Sequence, residues 1–334
     1  MKLSDIGEFG LIHRIAPQFL RNLPKDVLGI GDDCAVLPIN ENESLLITTD
    51  LLVEEVHFIR DKISARQLGH KSLAVNLSDI AAMGGSPTAA FLSIGLPEDI
   101  PVEWLDDFFA GLGELSHKTG TPLLGGDTTR SRRHLVINMA VLGRAHPGKI
   151  KYRSTAQVGD IICVTDFLGD SGGGLHILLQ GMRSEENAHA CQLVSAHCQP
   201  RPQLQEGAWL AKHDAVHAML DVSDGIDSDI RRIMEESKVG ARINVSDLPL
   251  SAALLELSEQ FGWDATEIAA SGGEDYCLLC TISPQEFAKI AQNFAGQFGR
   301  PLFRIGVIAQ ADALVYHQDD KIVHLAKHGW DHFV

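Results

Sequence analysis

Five short stretches of this chain set aspartate beside glycine, serine or threonine: Gly31-Asp32-Asp33, Thr48-Thr49-Asp50, Asn76-Leu77-Ser78-Asp79, Gly125-Gly126-Asp127-Thr128-Thr129 and Asp221-Val222-Ser223-Asp224-Gly225. Any one of them is explained by turn or helix-cap chemistry, in which a short carboxylate closes a local backbone hydrogen bond. Several follow apolar strands, however, and ligand sites in α/β folds form at strand ends. The seven carboxylates of these stretches, if they converge, cannot all stay ionised unless cations neutralise them. Mg²⁺ takes oxygen ligands and is commonly shared between carboxylates and substrate phosphates, so the pattern points to several Mg²⁺ ions on a polyphosphate. Calcium fits less well, because the sequence has no twelve-residue loop ending in a bidentate glutamate.

The usual phosphate-binding signatures are missing: there is no G-x-x-x-x-G-K-[ST], and no G-x-G-x-x-G follows a strand. Gly169-Asp170-Ser171-Gly172-Gly173-Gly174 lacks the lysine, and its glycines read as a turn and a tightly packed helix start. The charge balance, 44 acidic against 28 basic residues for a net of −16, opposes a nucleic-acid backbone or an anionic membrane surface as partner. An anionic substrate would need a cation as intermediary. The polar N-terminus and the absence of about 18 consecutive apolar residues argue against a signal peptide or a membrane span, so a cytoplasmic protein is expected. The cysteines, Cys34, Cys163, Cys191, Cys198, Cys277 and Cys280, lie mostly in apolar runs, as reduced core thiols do, and no structural disulfide is expected. Cys277 and Cys280 have zinc-like spacing but no second pair, which favours core packing.

The elements that must position these residues alternate throughout. A chain of 334 residues with 45% hydrophobic content suits two α/β domains. Residues 44–49 read as a strand ending at Asp50. Residues 64–83 read as a helix with Ser64 as N-cap and Gly84-Gly85 as the stop, and 101–118 as another, ending at Gly120. Further strands are expected at 88–96, 121–124 and 135–142. The polar segment 143–159 marks a boundary near residue 150. Beyond it, strands are expected at 160–165, 218–222, 241–245, 276–282, 303–309 and 321–325, with helices near 170–181, 185–197, 203–213, 225–237, 250–261 and 284–295. Lys71 falls eight residues before Asp79 on one expected helix, where a nearby salt bridge would satisfy it. The other histidines, among them His13, His70, His117, His189, His197, His213 and His217, read as surface or satisfied core groups.

The same stretches carry a family resemblance. Gly7-Glu8-Phe9 with Leu11-Ile12, Gly29-Ile30-Gly31-Asp32-Asp33-Cys34-Ala35, Thr49-Asp50 followed by His57-Phe58, KSLAVNLSDIAAM over 71–83, GGDTTR over 125–130, DVSDG over 221–225, SGGEDY over 271–276 and GWDHF over 329–333 together resemble the thiamine-monophosphate kinase family. That family sits in a superfamily with aminoimidazole ribonucleotide synthetase, selenophosphate synthetase and a hydrogenase maturation factor. Residues 1–28 lack the reactive cysteine expected of selenophosphate synthetase, and the chain ends in Val334 where the hydrogenase factor would end in cysteine. The chain departs from the family pattern at Thr155 and Val158, where glycine and proline are usual.

The resemblance implies an α/β (α+β), two-domain PurM-like fold. Residues 1–150 would form an N-terminal ATP- and Mg²⁺-binding domain whose sheet pairs with a second subunit, and 151–334 a C-terminal α/β domain. It implies ATP-dependent phosphorylation of thiamine monophosphate to thiamine diphosphate by a homodimer. Carried onto the matching motifs, the metal shell would be Asp33, Thr48, Thr49, Asp50, Asp79, Asp127, Asp221 and Asp224, with Asp32 a lesser member. ATP would meet Gly126, Asp127, Arg153 and Ser223, with Arg153 facing the transferring phosphate. Thiamine monophosphate would meet His57, Glu274 and Trp330. The nucleophile is already a phosphate anion, so no general base is implied and positioning and charge neutralisation suffice. The alternatives are another ATP-dependent enzyme of the superfamily, of the aminoimidazole ribonucleotide synthetase type, and a non-catalytic nucleotide-binding subunit.

Overall fold

The computed structural model describes residues 2–182, 184, 187–319, 321–326, 329 and 333. Trp330 lies outside the described residues. Helix α1 (Gly7–Leu20) is followed by strands β1 (Ala35–Asn40) and β2 (Glu43–Val53). Helix α2 (Ala65–Ala82) starts at a capping box in which the Ser64 side chain accepts from Gln67 N and the Gln67 side chain reaches back to Ser64 N. Strand β3 (Ser86–Leu96), helix α3 (Val102–Thr119) and strands β4 (Leu123–Arg130) and β5 (Val136–Ala145) complete a five-stranded sheet of order β1-β2-β5-β3-β4. Only β3 and β4 in it run parallel, with α3 as their crossover.

The second half contributes β6 (Ile161–Val164), α4 (Asp170–Gln180), α5 (Ala188–Cys198), α6 (Leu204–Leu210), β7 (Val216–Asp221), α7 (Ile226–Ser237), β8 (Gly240–Asn244), α8 (Ala252–Phe261), α9 (Ala265–Ser271), β9 (Leu278–Ile282), α10 (Pro284–Phe298), β10 (Phe303–Ala309), β11 (Leu314–Gln318) and β12 (Lys321–Val323). Its strands form a seven-stranded sheet of order β12-β11-β8-β10-β6-β9-β7. One face packs on α7 and α9, the other on α6 and α10.

Helix α2 serves both halves. Leu68, Leu73 and Leu77 pack under the first sheet with Leu46, Leu92 and Met139, while Ala81 and Ala82 join the core of the second sheet beside Val216 and Met219. That explains a helix with almost no exposed face, where the single apolar stripe of a surface helix would otherwise be seen. No helix among the described residues is long and apolar enough to cross a membrane. All six cysteines are free thiols, and only Cys191 is exposed.

Four elements escape the sequence pattern: α1, β1, α9 and β11. α1 contains Pro17 and β1 contains Pro38, residues that argue against a helix interior or a strand. β1 tolerates its proline because it is an edge strand. β2 runs past Asp50 to Val53, so Asp50 lies within a strand and not at its end. The GGDTTR stretch is itself strand β4, despite glycine and aspartate being poor strand formers. In the glycine-rich start of α4, a Cβ on Gly174 would come 2.1 Å from Leu193 O, so tight packing against α5 accounts for that glycine.

Helices α2 and α3 touch backbone to backbone. A Cβ on Gly111 would lie 1.9 Å from Arg66 O. Alanine is favoured over glycine in a helix by about 1 kcal/mol, but the overlap is with main chain and cannot be relieved by a rotamer change. Gly111→Ala is therefore expected to lower stability by a net of about 1–3 kcal/mol in denaturant unfolding; an unchanged or raised midpoint would show that the two helices can separate freely.

Candidate active site

Strand alternation places Thr48, Asp50 and Leu52 on the face of β2 that meets α2, together with Leu46. On α2, Ser72, Asn76 and Asp79 share a face at helical spacing. The two faces lock together: Thr48 Oγ1 donates to Asp79 Oδ2, and Asp50 N donates to Asn76 Oδ1 at 3.1 Å. From β5, Asn138 Nδ2 donates to Thr49 Oγ1 at 2.9 Å and to Asp50 O at 3.0 Å. Asp33, from the loop before β1, and Asp221, at the end of β7, meet Asp79 so that one carboxylate oxygen of each lies within 4.8 Å of the others. Two sheets and one helix thus deliver acids to one point.

That convergence is visible in the protonation equilibria. Burial and then the Asp33 charge push Asp221 up to about 8. Burial, followed by Asp224 and Asp33, pushes Asp50 up to about 6. Asp32 rises to about 7 through burial and Asp33, and Asp79 is held well above the ordinary range by burial, then Asp50 and Asp221. Asp33 Oδ2 and Asp221 Oδ2 are buried with no hydrogen-bond partner among the described residues. Buried acceptors are rarely left unpaired. An all-oxygen donor set with orphaned carboxylate atoms fits a hard divalent cation.

Among the described residues, Arg153 is the cation that pairs with the cluster. Arg153, in a short 3₁₀ turn, pairs through Nη2 with Asp33 Oδ1, places Nε 3.7 Å from Asp32 Oδ1, and donates its backbone N–H to Asp32 Oδ2 at 3.1 Å. It ties the second half of the chain to the 31–33 loop of the first. Asp229, in the first turn of α7, is a further buried acid that the motifs did not single out; it accepts from Asp224 N at 3.2 Å.

A cavity of about 510 Å³ extends from these acids, with Asp50, Asp79, Asp221, Ser223 and Asp224 at one end and His57, Lys71, His197 and Glu274 among its other lining residues. His57 Nδ1 accepts from Val53 N at 3.0 Å, which orients its ring. Glu274 N donates to Ser223 O at 2.7 Å, joining the SGGEDY and DVSDG loops. Lys71 turns away from Asp79 and pairs with Glu274, Nζ to Oε1 being 2.9 Å. Eight residues on a helix rotate a side chain by about 80° past two full turns, so Lys71 and Asp79 face different walls. His197, read from sequence as a surface or core group, is buried in this wall. Asn138 and His197 were missed because a polar residue in an apolar strand and a histidine on a helix carry no local signal of a site.

Gly126 and Asp127 are not brought to the cluster of their own chain. Asp127 pairs with Ser93, Ser93 with Asn138, and Asn138 with Leu51. Three strand spacings put it about 14 Å from β2. The register also places it on the sheet face of Thr49 and Leu51, opposite Thr48 and Asp50. Gly126 has φ +153°, and a Cβ there would meet Leu92 O at 1.6 Å, so the strand pairing itself demands glycine.

Residues 31–145 match the family of AIR synthase related protein, N-terminal domain, and residues 157–317 that of AIR synthase related protein, C-terminal domain. The chain is 39% identical to the thiamine-monophosphate kinase of Escherichia coli (strain K12) over 333 residues, 98% of each protein. The structure of AaThiL complexed with AMPPCP and TMP superposes with a TM-score of 0.87 at 31% identity, covering 100% of this chain and 99% of that one. The thiamine-monophosphate kinase of Stenotrophomonas maltophilia K279a gives a TM-score of 0.77 at 36% identity, over 95% of this chain and 98% of that one. The two-domain PurM-like fold is shared throughout, and the chain belongs to the thiamine-monophosphate kinase family.

Proposed function

We propose that this chain transfers the γ-phosphoryl group of ATP to the phosphate of thiamine monophosphate, giving ADP and thiamine diphosphate. The observation that carries this reading is the single cavity joining a carboxylate cluster to the Glu274 wall. It is supported by the full-length relationship to named thiamine-monophosphate kinases and by a relative solved with AMPPCP, an ATP analogue, and TMP. The acceptor is an anion, so the site needs orientation and charge neutralisation and no general base.

We further propose Mg²⁺ as the cation, held by Asp33, Asp79 and Asp221 with Asp50, Asp224 and Thr48 beside them. Mg²⁺ bound there supplies positive charge to phosphate oxygens. Arg153 and Ser223 would meet ATP, with Arg153 exchanging part of its contact with Asp33 for a phosphate; His57, Glu274 and Trp330 would meet thiamine monophosphate. We retain 1–150 as the nucleotide- and metal-binding, dimerising domain and 151–334 as the second domain. A homodimer is supported by the uncovered outer face of the first sheet, where Leu37, Leu51 and Phe91 are exposed. Asp127 shares that face, which gives it, with Gly126, a role next to the subunit boundary. A cytoplasmic location is supported by six free cysteines, five of them buried.

Incubation with ATP, Mg²⁺ and thiamine monophosphate should yield thiamine diphosphate without free phosphate, and EDTA should stop it. Asp50→Asn and Asp221→Asn should each lower turnover by about a hundredfold or more in a folded protein. Release of ADP and phosphate without thiamine diphosphate would refute the assignment.

The raised acids also predict a pH effect on the metal-free protein. Folded-state values of about 6 for Asp50 and about 8 for Asp221 lie above the ordinary 3.8 of an unfolded aspartate. Between those limits the folded state holds more protons than the unfolded one, so stability is greatest at low pH and falls as pH rises through about 6 to 8. Mg²⁺, which requires ionised carboxylates, should oppose that fall. Melting temperatures at pH 6 and pH 8, with and without Mg²⁺, test this; equal melting at both pH values without metal would contradict the cluster.

A further inference from the structure

Lys71 is only 1% exposed, and an ammonium so deeply buried must be both paired and hydrogen-bonded to stay charged. Its partner comes from 203 residues further along the chain. Lys71 Nζ straddles the Glu274 carboxylate, 2.9 Å from Oε1 and 3.0 Å from Oε2. His197, from the last turn of α5, places Nδ1 3.2 Å from Glu274 Oε2 and 3.1 Å from Ser171 Oγ on α4. The facing carboxylate favours the tautomer that carries its proton on Nδ1. Burial, and then the Lys71 charge, lower His197 to about 4, so the ring is neutral and Lys71 is the cation paired with Glu274. The Glu274 main chain adds a constraint, since it holds φ +56° with its N–H tied to Ser223 O.

A carboxylate has about four lone-pair sites. Lys71 faces one on each oxygen and His197 a second on Oε2, which among the described residues leaves one on Oε1. A quarter of the side chain stays exposed, 25%, in the cavity it lines. The Lys71–Glu274 pair is neutral as a unit, so it exerts little pull on a cation but presents one well-aimed acceptor. Thiamine monophosphate offers two candidates for this wall: a cationic thiazolium ring and the exocyclic amine of its pyrimidine. We propose that Lys71 and His197 are positioning residues that hold Glu274 as a neutralised, singly open acceptor for the pyrimidine amine, and not as counter-charge to the thiazolium. The inference rests on the function proposed above and names which end of the substrate this wall reads.

The test is steady-state kinetics with ATP and three acceptors: thiamine monophosphate, oxythiamine monophosphate, in which a carbonyl replaces the amine, and a deaza analogue whose five-membered ring is neutral. For the wild-type protein, KM for oxythiamine monophosphate should be higher by about tenfold or more, the size of a lost hydrogen bond to a charged group. KM for the neutral-ring analogue should stay within about threefold, since the paired carboxylate gives little net attraction. Lys71→Met should raise KM for thiamine monophosphate about tenfold, erase the preference for the amine and leave KM for ATP nearly unchanged. Because Lys71→Met strands a buried carboxylate, the double variant Lys71→Met/Glu274→Gln provides a folded control, and His197→Gln a second probe. The preference should remain lost in the double variant and be reduced in His197→Gln. Full recovery in the double variant would make Lys71 a mere charge partner and overturn the proposal, as would a wild-type penalty on the neutral ring larger than that on the oxo analogue. A wild-type protein that phosphorylates none of the acceptors would overturn the functional reading itself, a result distinct from normal turnover with unaltered discrimination.

Discussion

Three carboxylates, two of them buried and the third, Asp79, half-buried, lie within 4.8 Å of each other and set the terms for the rest of this molecule. Like charges at that separation, away from water, raise each other's proton affinity until one is protonated or a cation arrives. The fold meets the difficulty only in part, through Arg153 against Asp32 and Asp33. The remaining deficit, expressed in the raised acids and the orphaned oxygens of Asp33 and Asp221, is what makes the place a site and not a core.

Helix α2 is the mechanical answer to bringing those acids together. It sits in the cores of both halves, with Leu77 among the residues under the first sheet and Ala81 among those under the second. The same helix carries Asp79 toward the acids and Lys71 toward Glu274. Eight residues of rise separate them by about 12 Å, a span suited to a ligand with phosphates at one end and rings at the other. Rigidity in α2 therefore fixes the distance between the two ends of the cavity. Backbone contact with α3 at Gly111 and with α6 at Gly207, where a Cβ would lie 2.1 Å from Ala81 O, supplies that rigidity.

Lys149 and Asp214 form an exposed ion pair between the halves, whereas two others, Arg153 to Asp33 and Lys71 to Glu274, lie at the site. Ion pairs exposed to water contribute little, but here removal of either partner would leave a charge in low dielectric. The arrangement couples the relative placement of the two halves to the charge state of the site. A ligand phosphate that competes for Arg153 would alter the same contact that joins the halves.

Local chemistry made much of this legible in the sequence. The Asp-Gly, Asp-Ser and Asp-Thr stretches announce themselves because small neighbours free the backbone for turns and strand ends, and α2 is readable from its Ser64 cap to the Gly84-Gly85 stop. Prolines hid α1 and β1, since local rules count Pro17 and Pro38 against the elements that tertiary packing nonetheless stabilises. Partnership over long range was beyond the sequence. Nothing local directs Lys71 to Glu274, places His197 behind it, or makes Asn138 the clamp on Thr49 and Asp50. The position of Asp127 depended on register: each one-residue step in strand pairing exchanges the faces of a sheet, and only the assembled order β2-β5-β3-β4 put it on the far side from Asp50. The sequence determined which residues were fit for chemistry because that depends on side-chain type and near neighbours. The tertiary structure decided which of them meet, because meeting depends on how two sheets pack around one helix.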